Sequence, residues 1–153
     1  MDYRGYGNSD GTPSEHGLVA DAQATLDWLL ARNDIDKTRV FLHGQSLGGA
    51  VAIKCAHLFQ ERVCGTMVEN TFTSIDDMVI HLGTELYKFA FIARLRPFFS
   101  YFLTSHWPSV RLVADVRSPL LFLSGQRDEL VPPAHMTALH QVHCIHRRRL
   151  SSH

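Results

Sequence analysis

The chain has 153 residues, 45% hydrophobic and 20% charged, which suits one globular domain with a sizeable core and excludes disordered and collagen-like classes. Fifteen Lys and Arg balance fifteen Asp and Glu, so no global field draws in nucleic acid or an anionic bilayer. Cys55, Cys64 and Cys144 lack C-x-x-C spacing, point to neither a disulfide framework nor a thiolate zinc site, and read as small core residues or free thiols.

The opening run from Gly5 to Pro13, rich in Gly, Asn, Ser and Asp, is turn chemistry and predicts a loop. Over residues 17–32 Leu18, Ala22, Leu26, Leu29 and Leu30 recur at three and four, the period of an amphipathic helix that Asn33 and Asp34 end. Residues 39–43 are a short apolar run suited to a strand buried on both faces. It leads straight into Gly44-Gln45-Ser46-Leu47-Gly48-Gly49 and then a helical composition over 50–59. Residues 63–68 and 120–123 are two further strand candidates, and 133–142 a further helix. Strands alternating with helices predict βαβ units and a mostly parallel sheet flanked by helices, an α/β architecture. Residues 72–117 break the alternation. Tyr87, Phe89, Phe91, Phe98, Phe99, Tyr101, Phe102 and Trp107 crowd one stretch of it, which predicts an insertion with its own apolar face. No repeat or linker divides the chain, so residues 1–142 are read as one domain and 143–153 as a divergent tail. The N-terminus is not a signal peptide, and Arg94 and Arg96 interrupt the most apolar stretch, so no membrane span is expected within the chain.

Gly44-x-Ser46-x-Gly48 lies where a strand turns into a helix. There a sharp, strained turn lifts the serine hydroxyl above the sheet, and small residues at 44 and 48 are expected to avoid collisions. The amide of Leu47, at the helix N-terminus, is placed to hold the oxyanion of a tetrahedral intermediate. The competing account is a glycine-rich turn that happens to hold a serine; strand, elbow and helix in the order the motif requires count against it. A phosphate-binding loop fits worse, since no Gly-Lys-Ser/Thr follows, and Gly5-Tyr6-Gly7 lacks the third glycine of a dinucleotide fingerprint. Asp128, on the loop after the 120–123 strand, fits the slot of a triad acid, stiffened by Val131-Pro132-Pro133. A plain helix-capping role competes for it, and Glu69 is the alternative acid. A base is harder to find. After Asp128 a helix, a strand and loops are needed before it, roughly 25 to 35 residues, and the tail shows neither strand pattern nor glycine turn. The catalytic His is therefore expected outside this chain. His140, His143 and His146 are expected to be solvated on a frayed basic tail rather than metal ligands, and Arg147, Arg148 and Arg149 are too few for a nucleic-acid site.

Four separated blocks strengthen the case: Asp2-Tyr3-Arg4-Gly5-Tyr6-Gly7, His43-Gly44-Gln45-Ser46-Leu47-Gly48-Gly49-Ala50, Val68-Glu69-Asn70-Thr71-Phe72, and Ser124-Gly125-Gln126-Arg127-Asp128-Glu129-Leu130-Val131-Pro132-Pro133. Together they resemble the alpha/beta hydrolase domain-containing protein 13 family and its fungal bud-emergence relatives, within the serine aminopeptidase-like hydrolases. The resemblance implies a partial α/β-hydrolase fold with an aromatic cap insertion, lacking early strands and the C-terminal strand and helix. It also implies Ser46 as nucleophile and Asp128 as acid, and a base in a Gly-x-His-Asn-Asp segment that this chain does not contain. No cofactor is implied. The expected partner is a small-molecule or acyl substrate; no nucleic acid is expected, and the family often carries a membrane anchor upstream. Two functions follow as expectations: a serine hydrolase of esters, thioesters or amides, and a catalytically inactive fragment or interaction protein of the same ancestry.

Overall fold

Ser14 adopts extended backbone and its hydroxyl accepts the Gly17 N–H at 3.0 Å, capping the first helix, α1 (Glu15–Ala31). The computed structural model describes residues 1–85 and 105–150. Ahead of α1 the predicted loop is present. Gly5, at φ 74, is bent tightly enough that a Cβ would lie 2.5 Å from Pro13 Cδ. Arg4 fastens the loop to α1 through its backbone N–H and guanidinium, both bonded to the Asp21 carboxylate at 2.6 to 3.1 Å.

Three parallel strands, β1 (Phe41–Gln45), β2 (Gly65–Glu69) and β3 (Leu120–Leu123), lie in the order β1-β2-β3. Leu42 stands beside Thr66 and Leu120, and Gly44 beside Val68 and Phe122. Because side chains alternate along a strand, these residues share one face. Helices α2 (Leu47–Leu58) and α5 (Pro133–Leu150) cover it with Ala52, Ile53, Met136 and Leu139. The opposite face carries Phe41, His43, Gln45, Met67, Glu69, Leu121 and Leu123. On it Phe41 is 55%, Leu121 52% and Leu123 40% exposed. The expectation of a first strand buried on both faces is thereby corrected: within the described residues it is covered on one.

A second cluster joins α1 and α2. Leu18, Val19, Val51 and Cys55 pack with Phe72, Ile75 and Trp107 from beyond β2. Helix α3 (Ile75–Glu85) opens the predicted insertion, and α4 (Ser109–Leu112) with a 3-10 turn at Val113–Asp115 closes it. Residues 86–104 lie outside the described residues, and with them all the predicted cap aromatics except Trp107. That ring is 1% exposed and stands against the Lys54 ammonium at 5.7 Å.

The last helix is longer than the 133–142 predicted. Met136, Leu139 and His143 recur at three and four and are all buried, extending the covered stripe past Val142. The expectation of a frayed, solvated tail is corrected for the helical backbone and for His143, while His140 is exposed as expected. His143 is 6% exposed, and its Nδ1–H donates to the Val113 carbonyl at 3.1 Å. Among the described residues no helix is long and apolar enough to cross a membrane.

Candidate active site

Ser46 joins β1 to α2 with φ 52 and ψ −120, a backbone region that costs a non-glycine residue roughly 1–3 kcal/mol and persists only where its surroundings enforce it. The enforcement is visible. The Ser46 N–H donates to the Glu69 carbonyl at 3.0 Å, and the Ser46 carbonyl accepts from Gly49 N–H, Ala50 N–H and the Thr71 hydroxyl, the last at 2.7 Å. The serine side chain does not cap the helix it precedes. A Cβ on Gly44 would lie 2.0 Å from the Gly48 carbonyl oxygen, and one on Gly49 would lie 2.6 Å from Thr71 Cβ. Gly48, by contrast, has nothing within 4 Å. The expected need for small residues therefore holds at Gly44, fails at Gly48, and extends to Gly49, which the five-residue motif does not include. Leu47 is the first residue of α2, and its amide is one of the four that a helix N-terminus leaves without an intrahelical acceptor.

Asp128 lies beyond the C-terminal end of β3, on the side of the sheet edge where Ser46 follows β1. Its N–H donates to Gly125 O at 3.3 Å, and its Oδ1 accepts from Leu130 and Val131 N–H, both at 2.9 Å. Oδ1 thus shapes the loop while Oδ2 takes no part in those bonds. β1 and β3 are two strand spacings apart, about 10 Å, with β2 between them. Glu69, the alternative acid, turns its carboxylate onto the open sheet face, near Gln45 Nε2 and His43 Nε2 at 3.5 Å each. Its backbone carbonyl accepts the Ser46 N–H.

The described histidines that follow Asp128 are each engaged. His135, in the first turn of α5, places Nδ1 2.9 Å from the Thr73 hydroxyl, and burial holds its pKa below the ordinary value. Thr73 in turn donates to Asp77 at 2.6 Å. His140 packs edge-on against Phe122 and lies 3.4 Å from Cys144 Sγ, and His146 faces Asp115 at 3.8 Å. The predicted His140, His143 and His146 trio is thus divided among separate partners.

Between the elbow and the acid loop run residues 69–71, the last residue of β2 and the two that follow it. Asn70, at φ 42, donates its N–H to Leu123 O at 3.1 Å, and its Oδ1 accepts the Gly125 N–H at 2.7 Å. Thr71 reaches the other way, to Ser46. Sequence reasoning assigned neither residue a role. The available signal was an asparagine, tolerant of left-handed backbone, at the end of a predicted strand.

The family model of serine aminopeptidase S33 matches residues 1–112. The chain belongs to this family. Among relatives of this S33 chain, alpha/beta hydrolase domain-containing protein WAV2 of Arabidopsis thaliana is 42% identical over 142 residues. The match covers 92% of this chain and 46% of that protein. Protein bem46 of Schizosaccharomyces pombe is 41% identical over 140 residues, covering 91% and 44%. The chain thus spans about half the length of the curated relatives it matches. An esterase of Pyrococcus furiosus shares the fold with TM-score 0.77 at 21% identity, covering 93% of this chain and 54% of the esterase. Acetyl xylan esterase 1 of Thermoanaerobacterium does so with TM-score 0.63 at 21%, covering 93% and 55%. The S33 chain therefore has part of an α/β-hydrolase fold, as the four sequence blocks implied.

Proposed function

We propose that this chain supplies the nucleophile, one oxyanion donor and the acid of a serine hydrolase acting on ester, thioester or amide bonds. The observation that carries the reading is Ser46 held at φ 52 between a strand end and a helix start. In this reading the Ser46 hydroxyl attacks the substrate carbonyl and its proton passes to a histidine base. The Leu47 N–H donates to the oxyanion, an interaction worth about 3 to 4 kcal/mol at the transition state. Collapse of the tetrahedral species expels the leaving group, which takes the proton from the imidazolium, and leaves an acyl-serine that water hydrolyses. The Asp128 carboxylate orients the imidazole and stabilises its charged form. The base is assigned to sequence following Asp128 in the complete protein, a reading supported by the engagement of His135, His140, His143 and His146 elsewhere. Esterases among the structural neighbours agree with an acyl substrate.

Labelling by a fluorophosphonate tests the proposal, on the 153-residue chain and on a version extended through a downstream Gly-x-His segment. Labelling of the extended version that disappears in Ser46→Ala is the expected result. Labelling of the short chain would place a working base within it. A second reading, an interaction protein without catalysis, draws on the open apolar sheet face, and failure of both versions to label would favour it.

A further inference from the structure

We infer that Asn70 is a positioning residue, setting the distance between the nucleophile elbow and the acid loop; this rests on the serine hydrolase reading above. Residues 69–71 are bonded to both sides of the site. Toward the elbow, the Glu69 carbonyl accepts the Ser46 N–H at 3.0 Å, and the Thr71 hydroxyl donates to the Ser46 carbonyl at 2.7 Å. Both peptide groups of the strained serine are thus fixed by one tripeptide. Toward the acid loop, Asn70 holds Leu123 O by its N–H and Gly125 N–H by its Oδ1 at 2.7 Å. Gly125 O then accepts the Asp128 N–H. A continuous chain of hydrogen bonds therefore runs from Ser46 through residues 69–71 to Asp128.

The left-handed backbone of Asn70 makes this possible. At φ 42 the residue leaves the pleat of β2, so its side chain meets the backbone leaving β3 instead of continuing the strand's alternation. Asparagine is among the few side chains that tolerate such a φ, and its amide oxygen supplies the acceptor that glycine would lack. Gly125 completes the fit: a Cβ there would lie 3.1 Å from Asn70 Nδ2. A neutral hydrogen bond of this kind contributes modestly to stability, whereas displacement of catalytic groups by about 1 Å lowers rates near a hundredfold. The consequence of losing it is thus chiefly on reaction rate.

Two variants separate these contributions. Asn70→Gly keeps the backbone conformation and deletes the acceptor; Asn70→Asp keeps both. Amide hydrogen exchange on the 153-residue chain should show Gly125 protected in the native protein and in Asn70→Asp, and exposed in Asn70→Gly, whatever the chemistry. On whichever version labels with fluorophosphonate, Asn70→Gly should slow Ser46 labelling about 10- to 100-fold, with Asn70→Asp within a few-fold of native. In an Asp128→Asn background, Asn70→Gly should cost almost nothing further, because the acid it positions is already gone. Full additivity of the two substitutions, equal losses in Asn70→Asp and Asn70→Gly, or an unprotected Gly125 amide in the native protein would each overturn the inference while leaving the hydrolase reading intact. Absence of labelling in every version would remove that reading and this one together.

Discussion

A methyl group on Gly44 would meet the backbone carbonyl of Gly48, which no side-chain rotation can relieve, whereas one on Gly48 would meet open space. Gly44→Ala should therefore destabilise the chain by about 3 kcal/mol and, in the extended version, reduce Ser46 labelling as the elbow opens. Gly48→Ala, in the first turn of α2, should be neutral or stabilising by up to about 1 kcal/mol. Urea unfolding of the two variants measures the difference directly, and equal losses would contradict the packing described for the elbow. His143 gives a second prediction. Burial depresses its pKa, with the bond to Val113 O acting the other way and Arg147, His140 and His146 adding to the depression. A histidine whose folded pKa lies below the unfolded value of about 6.5 stabilises the fold above that pH. The contribution is lost as pH falls through the folded value. The urea midpoint should thus fall as the pH is lowered below about 6.5. His143→Phe should flatten that slope without abolishing it, since His135 is depressed by burial in the same sense.

At the scale of elements, Glu15 ties three segments together. Its Oε1 pairs with Lys54 of α2 at 2.6 Å, and its Oε2 accepts from the His106 and Trp107 N–H groups at 3.2 and 3.3 Å. Both charged side chains are largely covered, at 20% and 26% exposure, so Glu15→Ala leaves a poorly solvated ammonium and two unpaired amides. A loss of roughly 2–3 kcal/mol in urea unfolding is expected. Arg39→Ala, which breaks the exposed pair with Asp36 while leaving the Asp36 cap on the Thr38 N–H in place, should leave the urea midpoint nearly unchanged. The elements themselves were legible where pattern and neighbours agree. The leucine spacing predicted α1, and the run of Leu120 to Leu123 predicted β3 to the residue, because both signals are local. The end of α5 was hidden because a buried histidine and three exposed arginines give a polar composition to a helix whose Met136, Leu139 and His143 stripe is nonetheless covered. The elbow was legible because its constraint falls on residues next to the serine. Asn70 was not, since its partner Gly125 lies 55 residues away.

At the scale of the whole molecule, the sheet face bearing Phe41, Met67, Leu121 and Leu123 lies open among the described residues. A short apolar run predicts a buried strand but cannot say whether one face or two are covered, so the open side became visible only with the register of all three strands. Parallel sheets are ordinarily covered on both sides, and contiguous exposed apolar surface drives association. The 153-residue chain alone should self-associate in sedimentation velocity at micromolar concentration. Phe41→Lys with Leu121→Lys should shift it toward monomer without moving the buried face. A monomeric native chain, or variants that associate equally, would mean this face is not what drives contact.

The two tryptophans stand in contrasting environments. Trp28 is 60% exposed beneath the Arg32 guanidinium, while Trp107 is 1% exposed beside the Lys54 ammonium. With Trp28 replaced by phenylalanine, the protein carries a single tryptophan, seated where the returning insertion meets α1 and α2. Its emission wavelength then reports docking of that return segment separately from the folding of the sheet. Where that emission shifts before the far-ultraviolet circular dichroism does, the insertion undocks ahead of global unfolding.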